Sequence, residues 1–105
     1  MSQKKWSLEN KKVLITGASK GIGWATASEM GDLGAELFLV SRNRVQLTDA
    51  TQELKNRGIS VTAITGDITI KEDRENIVKK IRETGASLDA LVNNVGMNIR
   101  KKMVE

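Results

Sequence analysis

The residues best suited to chemistry in this chain are ones that could hold a phosphate. Val13 to Gly23 reads VLITGASKGIG: a short apolar run stops at Thr16-Gly17, and Gly17, Gly21 and Gly23 precede or open the next apolar-periodic segment, which begins at Ile22. In a strand-to-helix turn, Gly17 permits a tight bend, Gly21 leaves no side chain between backbone and ligand, and Gly23 lets the helix pack close to its strand. The N–H groups of the helix's first turn then point at the ligand, and the helix dipole favours negative charge there. An ordinary glycine-rich loop can carry the same letters, so the reading needs independent support from elsewhere in the chain.

Three other stretches supply it: Ser41-Arg42-Asn43, Asp67-Ile68 and Asn93-Asn94-Val95-Gly96. What is missing narrows the chemistry further. The chain has no His, Cys, Tyr or Pro. General acid–base groups therefore reduce to carboxylates and lysines, and thiolate metal sites and disulfides are ruled out. No catalytic residue and no metal ligand can be nominated.

These stretches must be positioned by regular elements. Val13-Leu14-Ile15 reads as a buried strand, and Ile22 to Leu33 as a helix with Ile22, Ala25, Ala27, Met30 and Leu33 on its apolar side and Gly34 as its C-terminal cap. Glu36 to Ser41 is a second strand with a continuous apolar centre, as expected when both faces are covered. Asn43 and Gln46 have capping-box spacing, so a second helix starts there, buries Leu47, Ala50 and Leu54, and ends at Gly58. Ile59 to Thr65 is a third strand. Thr69 and Glu72 repeat the capping-box spacing for a third helix, with Ile70, Ile77, Val78 and Ile81 as its apolar face and Gly85 at its close. Leu88 to Val95 is a fourth strand, broken by Gly96.

The alternation βαβαβαβ specifies an α/β fold of the Rossmann type: a doubly wound, four-stranded parallel sheet with helices on both faces. Ligands bind such sheets outside the carboxyl ends of the strands. All four distinctive stretches fall at those ends. The second strand's end also chooses between cofactors. NAD sites usually place an acidic residue about twenty residues after the glycine turn, whereas a 2′-phosphate needs a positive group. Here Ser41 is followed by Arg42, and Lys20 adds a charge inside the glycine turn. This favours NADP, since arginine grips phosphate with two hydrogen bonds at once.

Length suits one domain, residues 1–105, with an N-terminal arm (1–11) that carries Trp6 and Leu8 and reads as a lead-in, and a basic tail (97–105). Hydrophobic residues make up 39% and charged residues 29%, near the values of soluble domains. There is no run long and apolar enough for a membrane span and no signal-peptide pattern before the first strand. With no cysteine, a reducing compartment fits, and the cytoplasm is the default. The net charge of +4 is spread among acidic residues, and only Trp6, Trp24 and Phe38 could stack on bases, so no nucleic-acid partner is expected.

TGASKGIG resembles the TGxxxGIG turn of the short-chain dehydrogenase/reductases, SRN the NADP-preferring form of their second strand end, DI their adenine-contacting pair, and NNVG their NNAG. W-S-L near the start and N-I-R-K at Asn98 to Lys101 look most like the tropinone-reductase-like branch; Val95 departs from the usual alanine. The resemblance implies that Gly17, Ser19, Lys20, Gly21 and Ile22 line the pyrophosphate and adenosine ribose, with Gly23 serving helix packing at the same site. It implies that Ser41, Arg42 and Asn43 meet the 2′-phosphate, that Asp67 and Ile68 contact adenine, and that Asn94 and Gly96 approach the nicotinamide. Thr16 and Asn93 would be scaffold. The family interconverts carbonyl compounds and alcohols with a Ser, a Tyr and a Lys four residues after that Tyr, all beyond the fourth strand. This chain, with no tyrosine, is then expected to be the cofactor-binding N-terminal part of a larger, homo-oligomeric NADP(H)-dependent oxidoreductase acting on a small carbonyl substrate, incomplete relative to the family and inactive alone. A stand-alone nucleotide-binding or scaffold domain is the alternative.

Overall fold

The computed structural model describes residues 7–94. The element order is β1 (Lys12–Thr16), α1 (Gly21–Asp32), β2 (Glu36–Ser41), α2 (Arg44–Asn56), β3 (Val61–Thr65), α3 (Lys71–Glu83) and β4 (Ala90–Asn93). The four strands form one sheet in the order β3-β2-β1-β4, and every pairing is parallel. The reversal of strand order falls at β1, so the glycine turn leaves the sheet where a crevice opens between neighbouring crossovers.

The period-two alternation of β2 explains the layers. Leu37 and Leu39 join Val13 and Ile15 of β1 against Ala27 of α1 and Leu47 and Leu54 of α2. Phe38 and Val40 point the other way and join Ile64 of β3 against Ile77 and Ile81 of α3. Residues 37 to 40 are all at most 1% exposed, as a strand with helices on both sides requires. Leu8 packs against the first of these cores, and its N–H donates to the Leu33 carbonyl at 2.7 Å, so the described part of the arm is tied to the end of α1.

The structure corrects several expectations. The third strand begins at Val61 rather than Ile59, and the fourth is shorter, running from Ala90 to Asn93. Of the expected stripe of helix α1, Ala27 is buried and Met30 packs against the core, but Ile22 is 78% exposed, Ala25 is exposed, and Leu33 lies beyond the helix as its C-cap; Gly23 and Gly31 are the other buried residues. Small residues win because this helix is closely seated: a Cβ at Gly23 would stand 2.8 Å from the Gly17 carbonyl carbon just after β1, and one at Gly31 would press on Ile59 Cγ2, in the loop before β3, at 2.7 Å. The expected Thr69–Glu72 capping box does not form. Ile70 occupies the N-cap with no side-chain bond, and Thr69 turns back to the Asp67 carboxylate. Ile70 and Val78 are both 46% exposed, leaving Ile77 and Ile81 as the buried pair of α3.

Candidate functional site

The glycine turn has the conformation its sequence demands. Gly17 and Gly21 take φ of 62° and 64°, the left-handed region that side chains resist. A Cβ at Gly23 would collide with the Gly17 carbonyl group, standing 2.8 Å from its carbon and 3.0 Å from Ala18 Cα, whereas one at Gly21 would meet nothing within 4 Å. Gly23 therefore seats the helix on its strand, and Gly21 faces open space. The start of α1 has no side-chain cap and no acidic residue in its first turn. By contrast, α2 is capped by Asn43, and α3 carries Glu72 and Asp73 in its first turn. The α1 terminus thus keeps its positive dipole end uncompensated by side chains.

A chain of hydroxyls and amides joins this turn to the end of β2. Ser19 Oγ and Ser41 Oγ are 3.0 Å apart, and Ser19 Oγ donates to Gln46 Oε1 at 3.4 Å. With the Ser19 proton directed at Gln46, Ser41 supplies the proton between the two serines. Ser41 Oγ also accepts the Asn43 N–H at 3.2 Å, and Asn43 Oδ1 accepts the Gln46 N–H at 2.9 Å. So the expected Asn43–Gln46 box is half made: Asn43 caps α2, while the Gln46 side chain reaches the glycine turn instead. Gln46 was legible as a cap and not as a site residue.

The other cations and carboxylates sit alongside. Arg42 leaves the end of β2 into solvent, its side chain 82% exposed, and Nη1 lies 3.8 Å from Asp67 Oδ2. Asp67 is held from three sides. Its Oδ1 accepts from Thr69 N–H at 2.9 Å and Thr69 Oγ at 2.6 Å, and its own N–H donates to Asp73 Oδ2 at 2.8 Å. Gly66 N–H donates to the Ser41 carbonyl at 3.0 Å, which ties the β2 and β3 ends together. The two Thr69 bonds hold the Asp67 carboxyl below its ordinary value of 3.8; desolvation opposes them, and the Arg42 charge adds the smallest lowering. Ile68 packs on the α3 core, and its carbonyl accepts Arg74 Nη1 at 2.8 Å. Sequence reasoning missed Asp73; an acid in a helix's first turn was its only signal.

At the fourth strand end, Thr16 Oγ1 donates to Asn93 Oδ1 at 2.9 Å and accepts the Asn94 N–H at 3.3 Å, while Asn94 Nδ2 donates to the Thr16 carbonyl at 3.4 Å. The two asparagines are thereby oriented by β1. Gly96 and Val95, with Trp6 and the basic tail, lie outside the described residues. Lys20 is exposed and lines a groove of about 370 Å³ between α1 and α2 with Ser19, Gly21, Trp24, Gln46, Asp49 and Glu53. The strand ends therefore bring Ser19, Ser41, Arg42, Asn43 and Asp67 into one connected cluster beside the open α1 terminus. Asn94 stands across β1 from them.

Among the described residues no helix is long and apolar enough to cross a membrane, and no group of acidic residues could hold a metal ion. A family model described as short chain dehydrogenase matches residues 11–105. A tropinone reductase homolog of Arabidopsis thaliana is 34% identical over 99% of this chain and 40% of its own length. The RhlG/NADP active-site complex of Pseudomonas aeruginosa superposes with a TM-score of 0.82 at 30% identity, covering 92% of this chain and 38% of that one. The L-sorbose reductase of Gluconobacter frateurii, complexed with NADPH and L-sorbose, gives a TM-score of 0.83 at 33% identity, covering 88% and 35%. The chain spans about two fifths of the length of the relatives it matches. On its parallel sheet, its glycine turn and these likenesses, the chain belongs to the short chain dehydrogenase family and resembles its tropinone-reductase-like branch.

Proposed function

We propose that residues 1–105 form the NADP(H)-binding N-terminal portion of an oxidoreductase whose intact form interconverts a small carbonyl compound and its alcohol. One observation carries the cofactor reading: Ser41-Arg42 stands at the end of β2, where an acid would serve NAD, and is tied through Ser19 to the uncapped start of α1. The open space at Gly21 suits close approach of a pyrophosphate. Gly17, Ser19, Lys20, Gly21 and Ile22 surround the pyrophosphate and adenosine ribose, and Gly23 keeps α1 against them. Arg42, with Ser41 and Asn43, takes the 2′-phosphate. Asp67 and Ile68 border the adenine, and Asn94 and Gly96 the nicotinamide side. When bound, the nicotinamide supplies or accepts hydride, and this chain's residues bind and orient it. The carbonyl substrate, homo-oligomeric assembly and cytoplasmic setting belong to the intact parent in this reading. They rest on the family likeness and, for the compartment, on the lack of cysteine.

The test is a tryptophan-fluorescence titration with NADPH and with NADH. NADPH should bind at least about tenfold tighter, the scale of one charge-assisted phosphate contact. Equal or tighter binding of NADH overturns the reading.

A further inference from the structure

The residue that faces Arg42 is an acid, at a place where the reading above asks for a bound anion. We propose that Asp67 is a specificity-determining residue: its carboxylate is the resting counter-ion of Arg42, a nucleotide 2′-phosphate must displace it, and Asp67 thereby moderates the chain's preference for NADP over NAD. This inference rests on the cofactor reading of the same crevice.

Geometry supports it in three ways. Asp67 Oδ2 is 3.8 Å from Arg42 Nη1, and no other ion pair to Arg42 is found among the described residues. The Asp67 carboxylate is not free to swing away, because Oδ1 is fixed by both the N–H and the hydroxyl of Thr69 and the backbone is fixed by Asp73. The guanidinium, 82% exposed, is the mobile partner and can turn toward a ligand while Asp67 stays put. The acid thus has two effects. It orients Arg42 before a ligand arrives, and it remains beside any 2′-phosphate as a like charge whose repulsion weakens the gain. A ligand with a plain ribose hydroxyl meets neither. Asp67 therefore acts on the ratio of the two affinities, whereas contact with adenine would alter both alike.

The experiment titrates the 105-residue chain with adenosine 2′,5′-bisphosphate and with adenosine 5′-monophosphate, which differ only in the 2′-phosphate. The proteins are wild type, Asp67→Asn, Arg42→Gln and the double variant. Asparagine keeps an oxygen for Thr69, and Asp67→Ser serves as a second way to remove the charge. The affinity ratio of bisphosphate to monophosphate should rise about three- to fivefold in both Asp67 variants, the scale of a solvent-exposed ion pair. The rise should be smaller in the Arg42→Gln background. An unchanged or lowered ratio, or the same rise without Arg42, overturns the proposal. A general structural role would weaken both ligands together and leave the ratio fixed. The wild-type ratio judges the NADP reading separately: a ratio near one in wild type sinks that reading, whereas a wild-type preference for the bisphosphate that Asp67→Asn leaves unchanged sinks only this proposal.

Discussion

Gly23 lies against Gly17 so closely that a methyl group at position 23 would stand 2.8 Å from the Gly17 carbonyl carbon, which is backbone and cannot rotate aside. Gly23→Ala must therefore push α1 off β1. The expected loss is about 1–3 kcal/mol of stability, the usual cost of overpacking, together with loss of nucleotide binding. Gly21→Ala separates these effects. Its Cβ meets nothing, so the cost is only that of φ 64°, about 1–2 kcal/mol, while the methyl occupies the open space proposed for the pyrophosphate. Urea denaturation and NADPH titration of both variants check the contrast.

Thr16 is 4% exposed, and its hydroxyl serves Asn93 and Asn94 at once. Thr16→Val keeps the shape and leaves both partners short of a bond, an expected loss of about 1–3 kcal/mol. Thr16→Ser should recover most of it. If valine is as stable as threonine in chemical denaturation, the link between β1 and β4 is weaker than its geometry indicates.

Arg57 clasps α1 from the end of α2, with Nη1 on Ser28 Oγ at 2.9 Å and Nη2 on Asp32 Oδ1 at 2.6 Å. Lysine cannot reproduce this fork. Arg57→Lys and Arg57→Ala should each lower stability by about 0.5–1 kcal/mol, the upper range for a partly exposed pair. Their similar effect in thermal unfolding would identify the fork, rather than the charge, as the stabilising feature.

The folded-state pKa of Asp67 is depressed, so its bonds to Thr69 favour the native state above the ordinary value of 3.8 and are lost as pH falls through the lower folded value. Side-chain carboxyl NMR should place its titration below 3.8. Thr69→Ala removes the largest cause and should move that titration back up, toward the ordinary value. An unmoved titration would contradict the assignment of cause.

Much of this was legible in the sequence because its signals are local. The glycine turn, the apolar centre of β2 and the Asn43 cap each depend on neighbours a few residues away. The Thr69–Glu72 spacing misled because Asp67, two residues earlier, competes for the same threonine, and a short Asx-type turn outbids the cap. The expected apolar stripe of α1 held only in part, for a different reason. Periodicity assumes that large residues point inward, but the fully buried positions of α1 are the small Gly23, Ala27 and Gly31, with Trp24 and Met30 partly buried at the core's side and Ile22 left exposed. The links from Gln46 to Ser19 and from Arg42 to Asp67 join residues 27 and 25 positions apart. No local pattern encodes them.

The order β3-β2-β1-β4 also distributes the chain-closure cost of the sheet unevenly. Lys12 meets Glu36 across β1 and β2 after 24 residues, but Val13 meets Ala90 across β1 and β4 only after 77. Closing the longer loop costs about 1 kcal/mol more in chain entropy. The entropic cost of pairing therefore falls more heavily on the asparagine end of the crevice than on the half bearing Ser19, Ser41 and Arg42, whose strands are neighbours in sequence.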